Sequence, residues 1–167
     1  MRYITRTDLL IVAKNSGYLM IGIGVMCLVP LIFDVVYFEF DVLSFVIPCV
    51  ISVLLGYGLL KYLEDKAKKT IRLKHGMMIS SFAWLWASLI GGLVFMLATH
   101  MPAIDAVFES MSALTGTGIT MFEDVEVLPH SILFFRSIVQ WIGGLGVVVM
   151  VLGVLTKPGS VSSKLYQ

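Results

Sequence analysis

Charge is scarce in this chain. Asp, Glu, Lys and Arg make up 14% of its 167 residues, against roughly a quarter in soluble domains. No Lys or Arg falls between His75 and Arg136, and no charge of either sign between Gly76 and Thr99. That deficit excludes a soluble globular domain, and a net charge of +1 gives no basic surface for nucleic acid. There are only two cysteines, Cys27 and Cys49. Each sits inside an apolar run without metal-ligand spacing, so both read as small core residues. No nucleophile, metal cluster or acid–base pair stands out, so an intramembrane enzyme has no chemistry to work with and no cofactor is expected.

What remains is apolar. Hydrophobic residues make up 58% of the chain and the mean hydropathy is +0.94, as in an integral membrane protein. Four runs satisfy the roughly 20 apolar residues that a bilayer core requires. The first extends from Gly17 to Phe33 or on to Phe38, with Pro30 as an expected kink. The others cover Val42–Leu60, Gly76–Thr99 and Ser131–Leu155, the last interrupted only by Arg136. Arg2 and Arg6 precede the first run, but no small-residue cleavage site follows it, so a retained span is expected rather than a signal peptide.

The few charges are informative by position. "KYLEDKAKKTIRLKH" links the second and third runs and carries Lys61, Lys66, Lys68, Lys69, Arg72 and Lys74. Because Lys and Arg accumulate on the cytoplasmic side, this loop is assigned inside. Arg2, Arg6 and Lys14 place the N-terminus there too, and Lys157 and Lys164 the C-terminus. The opposite connections carry Asp34, Glu39 and Asp41, then Asp105, Glu109, Glu123, Asp124 and Glu126. An outer surface of that sign concentrates cations.

The segment His100–Pro129 therefore begins and ends outside. Pro102 suits a first helical turn, and Ile104, Val107, Phe108, Met111 and Leu114 follow at helical spacing. Asp105, Glu109 and Ser112 fall on another face. A helix over 102–113 is about 18 Å long at about 1.5 Å per residue. It is too short to cross and too apolar for water, which describes a re-entrant half-helix. "TGTG", Thr115 to Gly118, comes next. Irregular backbone survives at membrane depth only when buried in protein or lining an aqueous cavity. A filter of backbone carbonyls is such a case, and Gly116 and Gly118 can supply the positive φ it needs. Thr115 and Thr117 could add hydroxyl contacts or brace the loop. The helix C-terminus favours a cation below it, and the absence of carboxylates within the run suits a monovalent ion better than calcium. An ordinary external turn is the competing reading. A phosphate-binding loop is a weaker one still, since no Lys follows the glycines and no strand precedes them.

Around the run, Glu109, Thr120 and Arg136 are candidates for the pore mouth or for filter support. Glu109 either binds cations or hydrogen-bonds behind the loop, the latter being favoured. Arg136 either snorkels or pairs with an acidic residue of the outer segment. Gly143, Gly144 and Gly146 of "QWIGGLG" read as sites of close helix approach. His100 and His130 bracket the segment and are not taken as a metal or pH site.

"FESMSALTGTGIT" followed by "FFRSIVQWIGGLGVVVMVLGVL" resembles the Trk/Ktr/HKT superfamily of potassium transporters, in particular its TrkH-type membrane subunits. The resemblance implies potassium as the transported ion and four helix–pore loop–helix units around one pore. It also implies a cytosolic nucleotide-binding regulatory partner. The family's first filter usually reads Thr-Thr-Thr-Gly; Thr115, Thr117 and Gly118 match it, and Gly116 replaces the middle threonine. One such unit and no internal repeat are present, and "KPGSVSSKLYQ" resembles the linker into a second unit. A truncated or partial chain is therefore expected, completed by sister units or by homo-oligomerisation.

The sequence thus points to an all-α membrane protein of four transmembrane helices with one re-entrant pore helix and filter loop. A transmembrane hairpin (1–60), a basic cytoplasmic loop (61–75), a helix–pore loop–helix unit (76–157) and a cytoplasmic tail (158–167) follow in order. It is expected in the plasma membrane with both termini cytoplasmic. The rival is a non-conducting fragment or accessory subunit packed against a full-length transporter.

Overall fold

The computed structural model describes residues 5–64 and 73–155. Lys66, Lys68, Lys69 and Arg72 of the basic loop lie outside the described residues, as do Arg2 and the whole 158–167 tail. The described elements are α1 (Arg6–Met26), α2 (Leu31–Val36), α3 (Val42–Leu63), α4 (Leu73–Thr99), α5 (Ala103–Thr115) and α6 (His130–Leu155). Four spans are long and apolar enough to cross a membrane: Arg6–Val36, Val42–Leu63, Leu73–Thr99 and His130–Leu152. The chain is a multi-pass, all-helical membrane protein.

The first helix starts well before Gly17, where the apolar run begins. Thr5 and Asp8 form a reciprocal capping box: the Asp8 amide donates to Thr5 Oγ1 at 3.3 Å and the Thr5 amide to Asp8 Oδ2 at 3.0 Å. Two of the orphan donors of the first turn are thereby satisfied. At the other end, the expected kink at Pro30 is a complete break. Proline has no N–H to continue the ladder, and Cys27, Leu28 and Val29 donate to carbonyls three residues back, tightening the chain into turns before α2.

Helices α1 and α3 form a hairpin at very short range. A Cβ on Gly56 would lie 2.7 Å from the Gly17 carbonyl oxygen, and one on Gly24 would lie 3.0 Å from that of Cys49. Lipid gives apolar helices little reason to prefer one another to acyl chains, so close backbone packing and polar bonds must hold them. A relay supplies the second: Trp86 Nε1 of α4 donates to Ser52 Oγ of α3 at 2.8 Å, which donates to the Met20 carbonyl of α1 at 2.6 Å. Cys27 and Cys49 are buried free thiols beside Phe45, Ile90, Val94 and Phe95.

Charges gather at the two ends. At one, Lys14 Nζ donates to the Glu64 carbonyl at 3.1 Å. There too Asp8 joins Lys74 and His75, the latter at 2.8 Å. The starts of α1 and α4 and the end of α3 thus share a level. At the other end, Glu39 in the α2–α3 connection meets the start of α6.

Candidate functional site

Helix α5 lies against α4 and α6, and it buries the face that is not its most apolar. Ala106, Glu109, Ser110, Ser112 and Leu114 are buried, whereas Ile104 is 84% exposed and Phe108 is 44% exposed. Of the apolar stripe read from the sequence, only Ile104 and Phe108 face outward, Val107 and Met111 are half-buried and Leu114 is buried, while Glu109 and Ser112 of the polar face pack inside. Glycines make room for it. A Cβ on Gly92 would come within 2.9 Å of the Val107 Cα, and one on Gly91 would strike Ser110 Oγ. On the other side, a Cβ on Gly143 would fall on the Leu114 carbonyl oxygen. The end of α5 is thus seated at the middle of α6. Gly144 has open space and Gly146 only an ordinary contact with Trp84, so of the three glycines in that run it is Gly143 that packs closely.

The helix ends in a glycine-based stop. Gly116 has φ 71° and ψ 16°; its amide donates to the Ala113 carbonyl and that of Thr117 to Ser112, both at 3.1 Å. This pair of bonds is the Schellman arrangement, in which a left-handed residue satisfies the last carbonyls. Gly118 is also left-handed, at φ 77°. A Cβ at either position would meet nothing within 4 Å, so the demand for glycine is conformational and not steric. Residues 115–119 are all exposed. Among the described residues, no hydrogen bond ends on the carbonyls of Thr115, Gly116, Thr117 or Gly118. The threonine hydroxyls are otherwise engaged: Thr115 Oγ1 lies 2.9 Å from the Met111 carbonyl and 2.8 Å from Thr117 Oγ1.

Behind this loop is a polar core. Glu109 is fully buried, and its Oε2 accepts from Thr120 Oγ1 at 2.9 Å and from the Met121 amide at 2.8 Å. Its Oε1 lies 2.8 Å from Arg136 Nε. Neither of those two atoms makes an aligned hydrogen bond, so this contact is an ion pair. The Arg136 guanidinium also lies over the Phe122 ring, 5.8 Å from its centroid, close enough for a cation–π attraction. One turn along α5, Ser112 Oγ donates to the Ile119 carbonyl at 2.5 Å. Glu109 and Ser112 together hold both ends of the 119–121 stretch. A cleft of about 280 Å³ opens beside Gly118, lined in part by Arg136, Ser137 and Gln140.

The seven residues singled out from the sequence form two groups. Thr115, Gly116, Thr117 and Gly118 make the exposed loop, and Glu109, Thr120 and Arg136 meet behind it. Of the alternatives left open for Arg136, the structure has the pairing, with Glu109. Among the described residues no group of three His, Cys, Asp or Glu side chains could hold a metal ion. The sequence reading missed Glu39, which caps α6, and the depth at which Gly143 receives α5. Nothing in the spacing of Glu39 relates it to His130, since the contact spans 91 residues.

Membrane-length helices around a short capped helix, with one irregular segment clamped by a buried ion pair, define the class: a multi-pass membrane protein with a braced polar loop. The chain belongs to the TrkH family of cation transport proteins, whose model it matches over residues 43–167. An uncharacterized cation transporter of Methanocaldococcus jannaschii is 40% identical over 164 residues, 98% of this chain and 34% of the relative. The Trk system potassium uptake protein TrkH of Halomonas elongata is 32% identical over 163 residues, 96% of this chain and 33% of the relative. TrkG of Escherichia coli K12, a protein of the same system, is 33% identical over 159 residues. The chain spans about a third of the length of these curated relatives.

Proposed function

We propose that the chain supplies one helix–pore loop–helix unit to a potassium transport pathway, with α5 as the re-entrant pore helix and 115–118 as filter backbone. The observation that carries this reading is the Thr/Gly loop itself. Two left-handed glycines follow the end of a short helix, and among the described residues no donor reaches the four successive carbonyls. Such carbonyls suit an ion that exchanges its water shell for backbone oxygen. The seating of Leu114 against Gly143, midway along α6, supports a loop at membrane depth. Glu109 acts as support behind the filter, not as a cation ligand, because both its oxygens are already occupied by Thr120, Met121 and Arg136. In this reading Gly116 also terminates the pore helix, a role in addition to presenting its carbonyl.

One loop furnishes part of a ring, so conduction requires further units, either copies of this chain or sister units like those implied by relatives about three times as long. In the proposed orientation Lys14, Lys61 and Lys74 lie on the cytoplasmic side of the plasma membrane with both termini. A cytosolic nucleotide-binding subunit would dock there. The test is Gly118→Ser in a potassium-transporting assembly. Discrimination of potassium from sodium should fall roughly tenfold, corresponding to about 1.4 kcal/mol. Unchanged selectivity and rate would reduce the Thr/Gly run to a turn and favour an accessory, non-conducting subunit.

A further inference from the structure

At their acidic end, the polar link between the hairpin and the loop unit centres on Glu39. Glu39 Oε2 accepts from the Ser131 amide at 3.0 Å and from Ser131 Oγ at 2.6 Å. Its Oε1 accepts from the His130 amide at 2.5 Å and lies 3.0 Å from His130 Nδ1. Glu39 therefore does for α6 what an N-cap side chain normally does from within the same helix, but from the α2–α3 connection. Aromatic rings fix the same place: Tyr37 stacks on His130 at 3.9 Å with planes 2° apart, and Phe33 stacks on Phe134 at 4.1 Å. Arg136 follows Ser131 by about 7.5 Å along the helix axis. From Arg136 the contacts run to Glu109, and from Glu109 to Thr120 and Met121.

We propose that Glu39 is a positioning residue for the Thr/Gly loop, setting the height of α6 at which Arg136 reaches Glu109 and thereby the placement of residues 120–121. The hairpin is then a brace on the loop and not only an anchor in the bilayer. Each joint is polar and partly shielded: Glu109 is 1% and Glu39 15% exposed, against 21% for Arg136 and 57% for His130. In a low-dielectric setting such bonds hold geometry more tightly than in water. The consequence for ion selection rests on the pore-loop reading; the mechanical link does not.

Amide hydrogen exchange on the full chain in lipid nanodiscs tests it. In Glu39→Ala, exchange across residues 118–122 should accelerate roughly tenfold, as for a local opening made easier, with helix content by circular dichroism unchanged. The same substitution in a Glu109→Gln background should add nothing at 118–122, because the relay is already cut. Faster exchange confined to the first turn of α6, or equal acceleration in both backgrounds, would overturn the proposal and leave Glu39 a local cap. If Glu39→Ala does not fold, Ser131→Ala, which removes one donor, carries the same comparison with a smaller shift. In a transporting assembly Glu39→Ala should also lower potassium-over-sodium discrimination. Altered exchange with unaltered selectivity would keep the brace and discard the filter assignment.

Discussion

The hairpin α1–α3 and the unit α4–α6 solve the same problem in different ways. Both must hold helices together in a solvent as apolar as themselves. The hairpin does it with backbone against backbone, through Gly17, Gly24 and Gly56, and with the neutral Ser52–Met20 bond, and keeps its carboxylates at its ends. The loop unit also uses glycines, but to admit a helix whose packed face carries Glu109, Ser110 and Ser112. The difference follows from what each contains. Regular helices satisfy their own backbone, whereas the 116–129 segment has amides and carbonyls that need partners from elsewhere. Buried polar side chains supply some of these partners, and where they do so through a charge the fold depends on that charge being paired.

The sharpest way to break the comparison is to remove the charge. Glu109→Ala leaves Arg136 facing an uncompensated site and frees the Met121 amide. A cost of about 3–5 kcal/mol is expected, as for a broken buried pair. Denaturant titration in mild detergent would measure it. Glu109→Leu combined with Arg136→Met should recover most of the loss, since replacing both partners removes the stranded charge. No recovery in the double variant would show that Thr120 and Met121, not the ion pair, carry the effect.

Disturbing the close packing should come next in size. Gly143→Ala drives a methyl into the Leu114 carbonyl and must move α5 or α6, at about 3 kcal/mol, the upper part of the overpacking range. Its neighbour is the control: Gly144→Ala meets open space and should stay within about 0.5 kcal/mol. In the hairpin, Gly56→Ala approaches the Gly17 carbonyl at 2.7 Å and should cost about 1–2 kcal/mol, as milder overpacking does. Thermal melts of the three variants give the ranking. If Gly56→Ala exceeded Gly143→Ala, the hairpin would be the stiffer of the two regions.

Much of this was legible in the sequence because the bilayer imposes one strong rule, a length of apolar chain. The four spans follow from that rule, whereas the short helix before the Thr/Gly run is read from Pro102 and the helical spacing that follows it. Helix ends were less legible. The start of α1 is set by Thr5 and Asp8, polar residues outside any apolar run. The buried face of α5 was not legible either, for a physical reason: apolarity stops marking the interior when the exterior is lipid or another helix. Glu109 and Arg136 were each visible as polar residues in unlikely places. Their pairing required the register of α5 against α6, which periodicity does not contain.

Apart from the Gly144→Ala control, the smallest effect expected is at Glu39, and pH exposes it. Burial pushes its carboxyl upward, but the hydrogen bonds from Ser131 and His130 outweigh this and hold it below the ordinary carboxylate range. A group depressed on folding contributes stability that is complete above its unfolded value and is lost as pH falls through its folded one. The cap on α6 should therefore be intact at neutral pH and fail only in acid, below the usual range for glutamate. His130 shares Oε1, and Asp34 and Asp41 lie in the adjoining segment, so Glu39→Gln is needed to isolate the Glu39 carboxylate. Loss of one helix cap costs about 1 kcal/mol. The wild-type chain should lose that much more stability than Glu39→Gln between neutral and acid conditions, read from parallel melts. A difference of opposite sign would mean that the Glu39 carboxylate is not the group that sets the acid response of this joint, and that the cap on α6 does not depend on its charge.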